Sequence, residues 1–152
     1  IFHFPDRLGR LAIHNFPGWF RSFTFSVVIA RRLNLKKIVH IESDSFILSG
    51  QALELINSTA SGWTAFWCPR KKFPETAFQI ICEDSFASLE KVRTSSFATR
   101  YANKIIEKAL PFTRVDRLLC GNRYGEYRSK VPSYADFAVQ VGPTMKFVSD
   151  FG

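Results

Sequence analysis

Two pairs of carboxylates stand beside apolar runs: Glu42 with Asp44, and Glu83 with Asp84. Glu42 and Asp44 are separated only by Ser43. In extended backbone, residues i and i+2 point to the same side. Two carboxylates on one side, at the end of an apolar strand, are costly unless something positive joins them. A divalent cation does so: Mg²⁺ or Mn²⁺ takes one or two carboxylates, keeps water elsewhere, and bridges substrate phosphates. It then offsets charge on a leaving diphosphate. The plainer alternative is a solvated acidic turn. Glu83-Asp84 follows Phe78-Gln79-Ile80-Ile81-Cys82, an odd place for two adjacent acids without a task.

The elements that must position these groups follow from periodicity. Phe20, Phe23, Val27, Ala30 and Leu33 keep the rhythm of a buried helix face, and Arg31, Arg32, Lys36 and Lys37 suit its C-terminal end. Lys37–Ile41 reads as a strand buried on both faces, continued by Phe46-Ile47-Leu48 beyond the acidic turn. His40, inside that strand, reads as packed. Ser49 is an N-cap for a helix over 51–57. Trp63–Cys68 reads as a strand, and Pro69 to Pro74 as a basic loop. Phe73-Pro74-Glu75 opens an expected helix carrying Ala77, Phe78, Ile81, Cys82, Ser85 and Leu89. A further helix is expected over 101–110 and a strand over 115–120. A strand over 11–14 and a helix over 134–141 are weaker readings. The alternation predicts one layered α/β/α domain over 1–152, Rossmann-like, with a mainly parallel or mixed sheet and a loop-rich part over 121–152. Ligands of such sheets sit beyond the carboxyl ends of strands, where Glu42-Ser43-Asp44 falls.

The 152 residues are enough to bury a core, and 16 Phe supply much of it. Net charge is +8, which favours anionic partners such as nucleic acid, anionic lipid or phosphate-bearing molecules. No apolar run reaches the roughly 18 residues of a membrane span, so no transmembrane segment is expected. The three cysteines, Cys68, Cys82 and Cys120, form no CxxC. That argues against a disulfide framework or a zinc site and points to a reducing compartment, cytoplasmic or at a membrane periphery.

The stretch from Ile38 to Leu48 resembles the DxD segment of GT-A-type glycosyltransferases, with Glu42 in place of the first Asp. Glu83-Asp84-Ser85-Phe86-Ala87-Ser88-Leu89 resembles the ED-x-x-L helix start of inverting members. The resemblance covers roughly residues 18–90. It implies a metal-dependent transfer of a sugar from a UDP- or GDP-sugar to a saccharide or other hydroxyl acceptor, with inversion. Asp44 is then the expected ligand of Mn²⁺ or Mg²⁺, and Glu42 a second ligand or a ribose contact. Ser43 belongs to the same substrate-binding turn. Asp84, or else Glu83, is the expected general base. Arg21, in Gly18-Trp19-Phe20-Arg21-Ser22, is expected on a phosphate, which its planar fork suits. Trp63 and Trp67 are expected to stack on an acceptor, with Arg70 beside them. Complete members carry a longer first half, so the 41 residues before Glu42 imply either a compact relative or a chain lacking its first nucleotide-binding unit.

Two other functions fit parts of the sequence. A basic nucleic-acid-binding module agrees with the charge and with aromatics near cations, although no recognition signature accompanies them. A metal-dependent phosphohydrolase or nuclease needs carboxylates too, but Ser45-Phe46 replaces the Asp-Gly-Thr that follows a phosphoaspartate nucleophile.

Overall fold

The computed structural model describes residues 3–9, 16–95, 101 and 104–139. The first helix, α1 (Pro17–Arg32), begins with proline, whose missing N–H costs nothing there. It buries Phe20, Phe23, Thr24, Val27 and Ala30. Asn34 ends it in the left-handed region at φ 54°. The Asn34 N–H reaches the Arg31 carbonyl and the Leu35 N–H reaches that of Ala30, the paired bonds of a Schellman stop. The chain then enters β1 (Lys37–Ile41), turns, and forms β2 (Ser45–Ile47). Ser49 caps α2 (Gly50–Ser58) by accepting the Ala52 N–H at 3.2 Å.

Next come β3 (Trp63–Cys68) and β4 (Phe73–Cys82), a 3-10 turn at Glu83–Ser85, and α3 (Phe86–Thr94). A second 3-10 turn at Ile106–Lys108 precedes β5 (Arg114–Asp116), β6 (Gly121–Asn122) and β7 (Phe137–Val139). One sheet has the order β1-β4-β3-β5, and a smaller one the order β2-β7-β6. Both are mixed: β4 runs antiparallel to β1 and β3, β5 parallel to β3, β7 antiparallel to β2, and β6 parallel to β7.

The core divides across the larger sheet. Phe20, Phe23, Val27, Trp63, Ile81 and Leu89 pack together on the face covered by α1 and α3. Phe66, Phe78, Ile80, Phe137 and Val139 pack on the other, against the small sheet and α2. Trp63 and Gln79 are wholly buried and satisfy each other: the indole N–H donates to the amide oxygen at 2.8 Å.

Several expectations are corrected. The helix expected from Phe73-Pro74-Glu75 is strand β4, the central strand, with eight consecutive buried residues from Glu75 to Cys82. Pro74 stands near its start, where a missing N–H is tolerated as well as at a helix start. The strand buried on both faces is therefore β4, whereas β1 is an edge strand with Val39 and Ile41 partly exposed. A β3–β4 hairpin replaces the expected strand–helix step, so antiparallel pairs dominate the larger sheet. The helix expected over 101–110 contributes only the 3-10 turn among its described residues, and residues 137–139 of the expected 134–141 helix are strand. The strand expected over 11–14 and residues 140–141 lie outside the described residues.

Candidate active site

The acidic turn sits where the chain leaves one sheet for the other. The Glu42 N–H donates to the Ala77 carbonyl at 2.9 Å, holding the end of β1 beside the middle of β4. The Ser45 N–H then donates to the Glu42 carbonyl at 3.0 Å and closes the turn from which β2 departs. Because the backbone turns here, Glu42 and Asp44 are not held on one side as an extended segment would hold them. The Glu42 carboxylate points towards α1 and accepts the Trp19 indole N–H at 2.7 Å. Trp19 is fixed in turn by stacking on Phe23, with ring centroids 5.1 Å apart. His40 flanks the same carboxylate, its Nε2 4.0 Å from Oε1. Ser43 is exposed. Asp44 is half-buried and makes no hydrogen bond or ion pair with another described residue.

Beside this turn opens a cleft of about 840 Å³. Phe16, Trp19, Phe73 and Ile106 give it apolar walls, and Glu42, Glu107, Glu126, Lys71 and Arg123 line it with charge. Its base is an ion pair that the sequence reading missed. Glu75, 1% exposed, accepts the Arg123 Nε–H at 2.6 Å and Nη2–H at 2.8 Å, a bidentate fork. The same carboxylate accepts the N–H groups of Thr76 and Ala77. Arg123 also stands 3.6 Å from Glu107 and 3.5 Å from Glu126, and Glu126 pairs with Lys71 at 2.9 Å. Burial alone would make the Arg123 guanidinium easier to deprotonate. The Glu75 fork and the neighbouring carboxylates outweigh burial and hold its pKa above the ordinary arginine value.

Burial acts the other way on Glu107, whose carboxyl is held above the usual range. The fields of Glu75 and Glu42 add to burial, while its own backbone and Arg123 oppose it. Four carboxylates (Glu42, Glu75, Glu107 and Glu126) thus meet two cations in a chain of net charge +8. Arg123 is delivered by β6, whose Gly121 lies under the Phe137 ring, where a Cβ would come within 2.3 Å of ring carbons. A signal for this site did exist in the sequence: Glu75 is an acid next to the largely apolar stretch from Ala77 to Cys82.

Of the residues expected to bind or react, only Glu42 lines the cleft. Trp63 is wholly buried and cannot stack on a ligand. The Trp67 ring is covered by the Arg117 guanidinium at 3.8 Å, and Arg70 stands 4.5 Å over the Tyr127 ring. Arg21 donates to the Asp6 carbonyl and lies 4.2 Å from the Phe4 ring centre, tying the N-terminal segment to α1. Glu83 takes Lys36 Nζ at 2.8 and 2.9 Å. Both Asp84 oxygens accept the Gly62 N–H, at 2.8 and 2.9 Å. Register explains the separation. Lys37 pairs with Cys82 and Ile41 with Phe78, so Glu83 and Asp84 lie at the opposite end of the β1–β4 ladder, roughly 20 Å along the strand from Glu42. They do not share a site with the acidic turn.

Among the described residues, no three His, Cys, Asp or Glu side chains assemble into a group that could hold a metal ion, and no helix is long and apolar enough to cross a membrane. No protein-family model matches the sequence. No curated protein matches it either. Among solved structures, the chain is similar to a glycosyltransferase involved in the glycosylation of the major capsid of PBCV-1, with a TM-score of 0.50. The likeness covers 91% of this chain and 75% of that one at 12% identity. At that identity it speaks for the fold alone: an acidic cleft carried by a glycosyltransferase-like mixed α/β fold.

Proposed function

We propose that this chain transfers a sugar from a nucleotide-sugar of the UDP or GDP class to an acceptor hydroxyl, with inversion, in the cleft beside β1. The observation that carries the reading is the acidic turn at the junction of two sheets, opening on an aromatic- and carboxylate-lined cleft, in a fold similar to that of a glycosyltransferase. Aromatic walls suit sugar faces, and carboxylates accept sugar hydroxyls.

The residues fit a divalent cation in a limited way. Glu42 gives its Oε1 to Trp19, and Asp44, on the same turn but outside the cleft lining, is the ligand we assign to the ion. One carboxylate is too little to retain Mg²⁺ or Mn²⁺ alone but enough when diphosphate oxygens complete the shell. The ion, when bound, offsets charge on the leaving diphosphate. Glu42, held by Trp19, forms a fixed wall for the donor. The three free cysteines suit a cytoplasmic setting.

Calorimetric titration of UDP and GDP, with and without Mn²⁺, tests this. Binding is expected only with Mn²⁺, Mn²⁺ alone is expected to give no heat, and Asp44→Ala is expected to weaken binding at least about tenfold, or ~1.4 kcal/mol. Binding indifferent to both Mn²⁺ and Asp44 overturns the metal–diphosphate part of the reading.

A further inference from the structure

We propose that the open edge of β1 is a self-association surface: two copies of this chain pair their β1 strands antiparallel about a two-fold axis at Val39. Nothing in this depends on the reaction in the cleft. It starts from where the backbone of β1 points. The Lys36 carbonyl accepts the Glu83 N–H at 3.0 Å, and the Glu42 N–H donates to the Ala77 carbonyl at 2.9 Å. With Lys37 opposite Cys82 and Ile41 opposite Phe78, the even-numbered residues from 36 to 42 therefore bond towards β4. The N–H and C=O groups of Lys37, Val39 and Ile41 point the other way. Among the described residues nothing meets them. Such an edge is a template for another strand, and proteins that keep it single guard it with a proline, a bulge or an inward charge. This edge has no proline, its ladder to β4 runs without a bulge, and Val39 and Ile41 are 38% and 44% exposed. Its lysine, Lys37, turns Nζ to the Ile56 and Asn57 carbonyls at the end of α2 instead of across the edge.

Charge makes a second copy the fitting occupant. Arg31, Arg32, Lys36 and Lys37 precede Val39, and Glu42 and Asp44 follow it. An antiparallel copy brings the basic end of each strand to the acidic end of the other, whereas a parallel copy sets like charges together. Pairing about Val39 places Lys37 opposite the partner's Ile41, and the outward N–H and C=O groups of each copy then meet those of the other. On one face Val39 packs on the partner's Val39, and Ile41 lies along the methylene stem of the partner's Lys37. At either end Lys36, 68% exposed, comes opposite the partner's Glu42. Glu42 gives Oε1 to Trp19 and keeps Oε2 for this contact. The contact is isologous and closes at two copies. It sets a cation of each copy beside the acidic turn that borders the other's cleft. A five-residue edge buries less than a standard interface, so the expected dissociation constant is about 1–100 µM.

Analytical ultracentrifugation of the chain from about 1 to 300 µM is expected to show a monomer–dimer equilibrium and nothing larger. Val39→Lys sets two ammonium groups against each other at the axis and is expected to raise the dissociation constant at least about tenfold. Val39→Thr keeps a β-branched side chain and is expected to leave it within about threefold. Circular dichroism and thermal melting check that both variants fold. Crosslinking reads the register itself. Across the axis the two Cα atoms stand about 5.5 Å apart, within reach of a disulfide. Val39→Cys under oxidised glutathione is therefore expected to give a covalent dimer well above the wild-type background. Leu53→Cys, on α2 and more exposed than Val39, is expected to give none above it. A wild type that stays monomeric across the range overturns the proposal. So does a dimer that tolerates Val39→Lys while Val39→Cys fails to crosslink, because the contact then lies on another face.

Discussion

The two ends of the β1–β4 ladder both carry acidic residues, and the fold treats them in opposite ways. At the Lys37–Cys82 end, Glu83 and Asp84 are exposed and locally satisfied, one by a surface lysine and the other by a single backbone N–H. At the Ile41–Phe78 end, Glu42 and Glu107 line a cleft and Glu75 is buried at its base, with Glu75 and Glu107 within reach of one partly buried arginine. The side-chain chemistry is the same at both ends. Burial and enclosure make the difference: burial holds the Glu107 carboxyl above its usual range and Glu75 grips Arg123 in a bidentate fork, whereas the other pair faces water. An acidic pair in a sequence thus acquires meaning only from the end of the strand that it reaches.

The largest expected effect tests the buried end. Glu75→Ala leaves the partly buried Arg123 without its fork and is expected to cost about 3–5 kcal/mol in denaturant unfolding. Replacing both partners, Glu75→Met with Arg123→Met, is expected to recover most of that loss, because neither charge then remains stranded. A single-variant loss under ~1 kcal/mol would make the cleft end no different from the surface end.

Asp84→Ala probes the other end and is expected to do less. Asp84 holds the N–H of Gly62, whose φ of +81° is open to glycine and strained for other residues. Losing this charge-assisted contact at an exposed site is expected to cost about 1–2 kcal/mol, and nucleoside diphosphate release should stay within about threefold of wild type. Full stability combined with a hundredfold loss of turnover would make Asp84 the base, as the ED-x-x-L likeness implies, and would erase the functional side of the comparison.

How much of this was legible in the sequence depends on which elements local patterning could define. The rhythm of Phe20, Phe23, Val27 and Ala30 gave α1, Ser49 gave the α2 cap, and the β-branched run gave β1. Strand β4 was not legible. Its spacing Ala77, Phe78, Ile81, Cys82 fits a helix face, and only the burial of Gln79 and Ile80 between them, a consequence of being central in the sheet, shows a strand. That single error carried the site with it. A helix there lets Glu83-Asp84 return towards Glu42, whereas an antiparallel strand carries the pair away. Glu75, Glu107 and Arg123 belong to three separate segments, and no spacing in the chain announces that β6 delivers Arg123 to Glu75. The acidic turn at Glu42–Asp44 was placed correctly at a strand's carboxyl end, but the 42–45 turn that separates its two carboxylates depends on β2 joining a second sheet.

The smallest expected effect sharpens the comparison from the solvent side. Lys36 and Glu83 form an ion pair at 2.8 Å with 68% and 54% of their side chains exposed. Water screens such a pair, and holding two long side chains in one geometry costs entropy. Lys36→Met is therefore expected to change stability by less than ~0.5 kcal/mol, with whatever remains fading as salt rises past the range where the Debye length is about 10 Å. Unfolding curves at low and high salt check this. A loss above ~2 kcal/mol that persists at high salt would mean that the exposed end holds its charges as firmly as the cleft holds Arg123. Enclosure would then no longer distinguish the two ends.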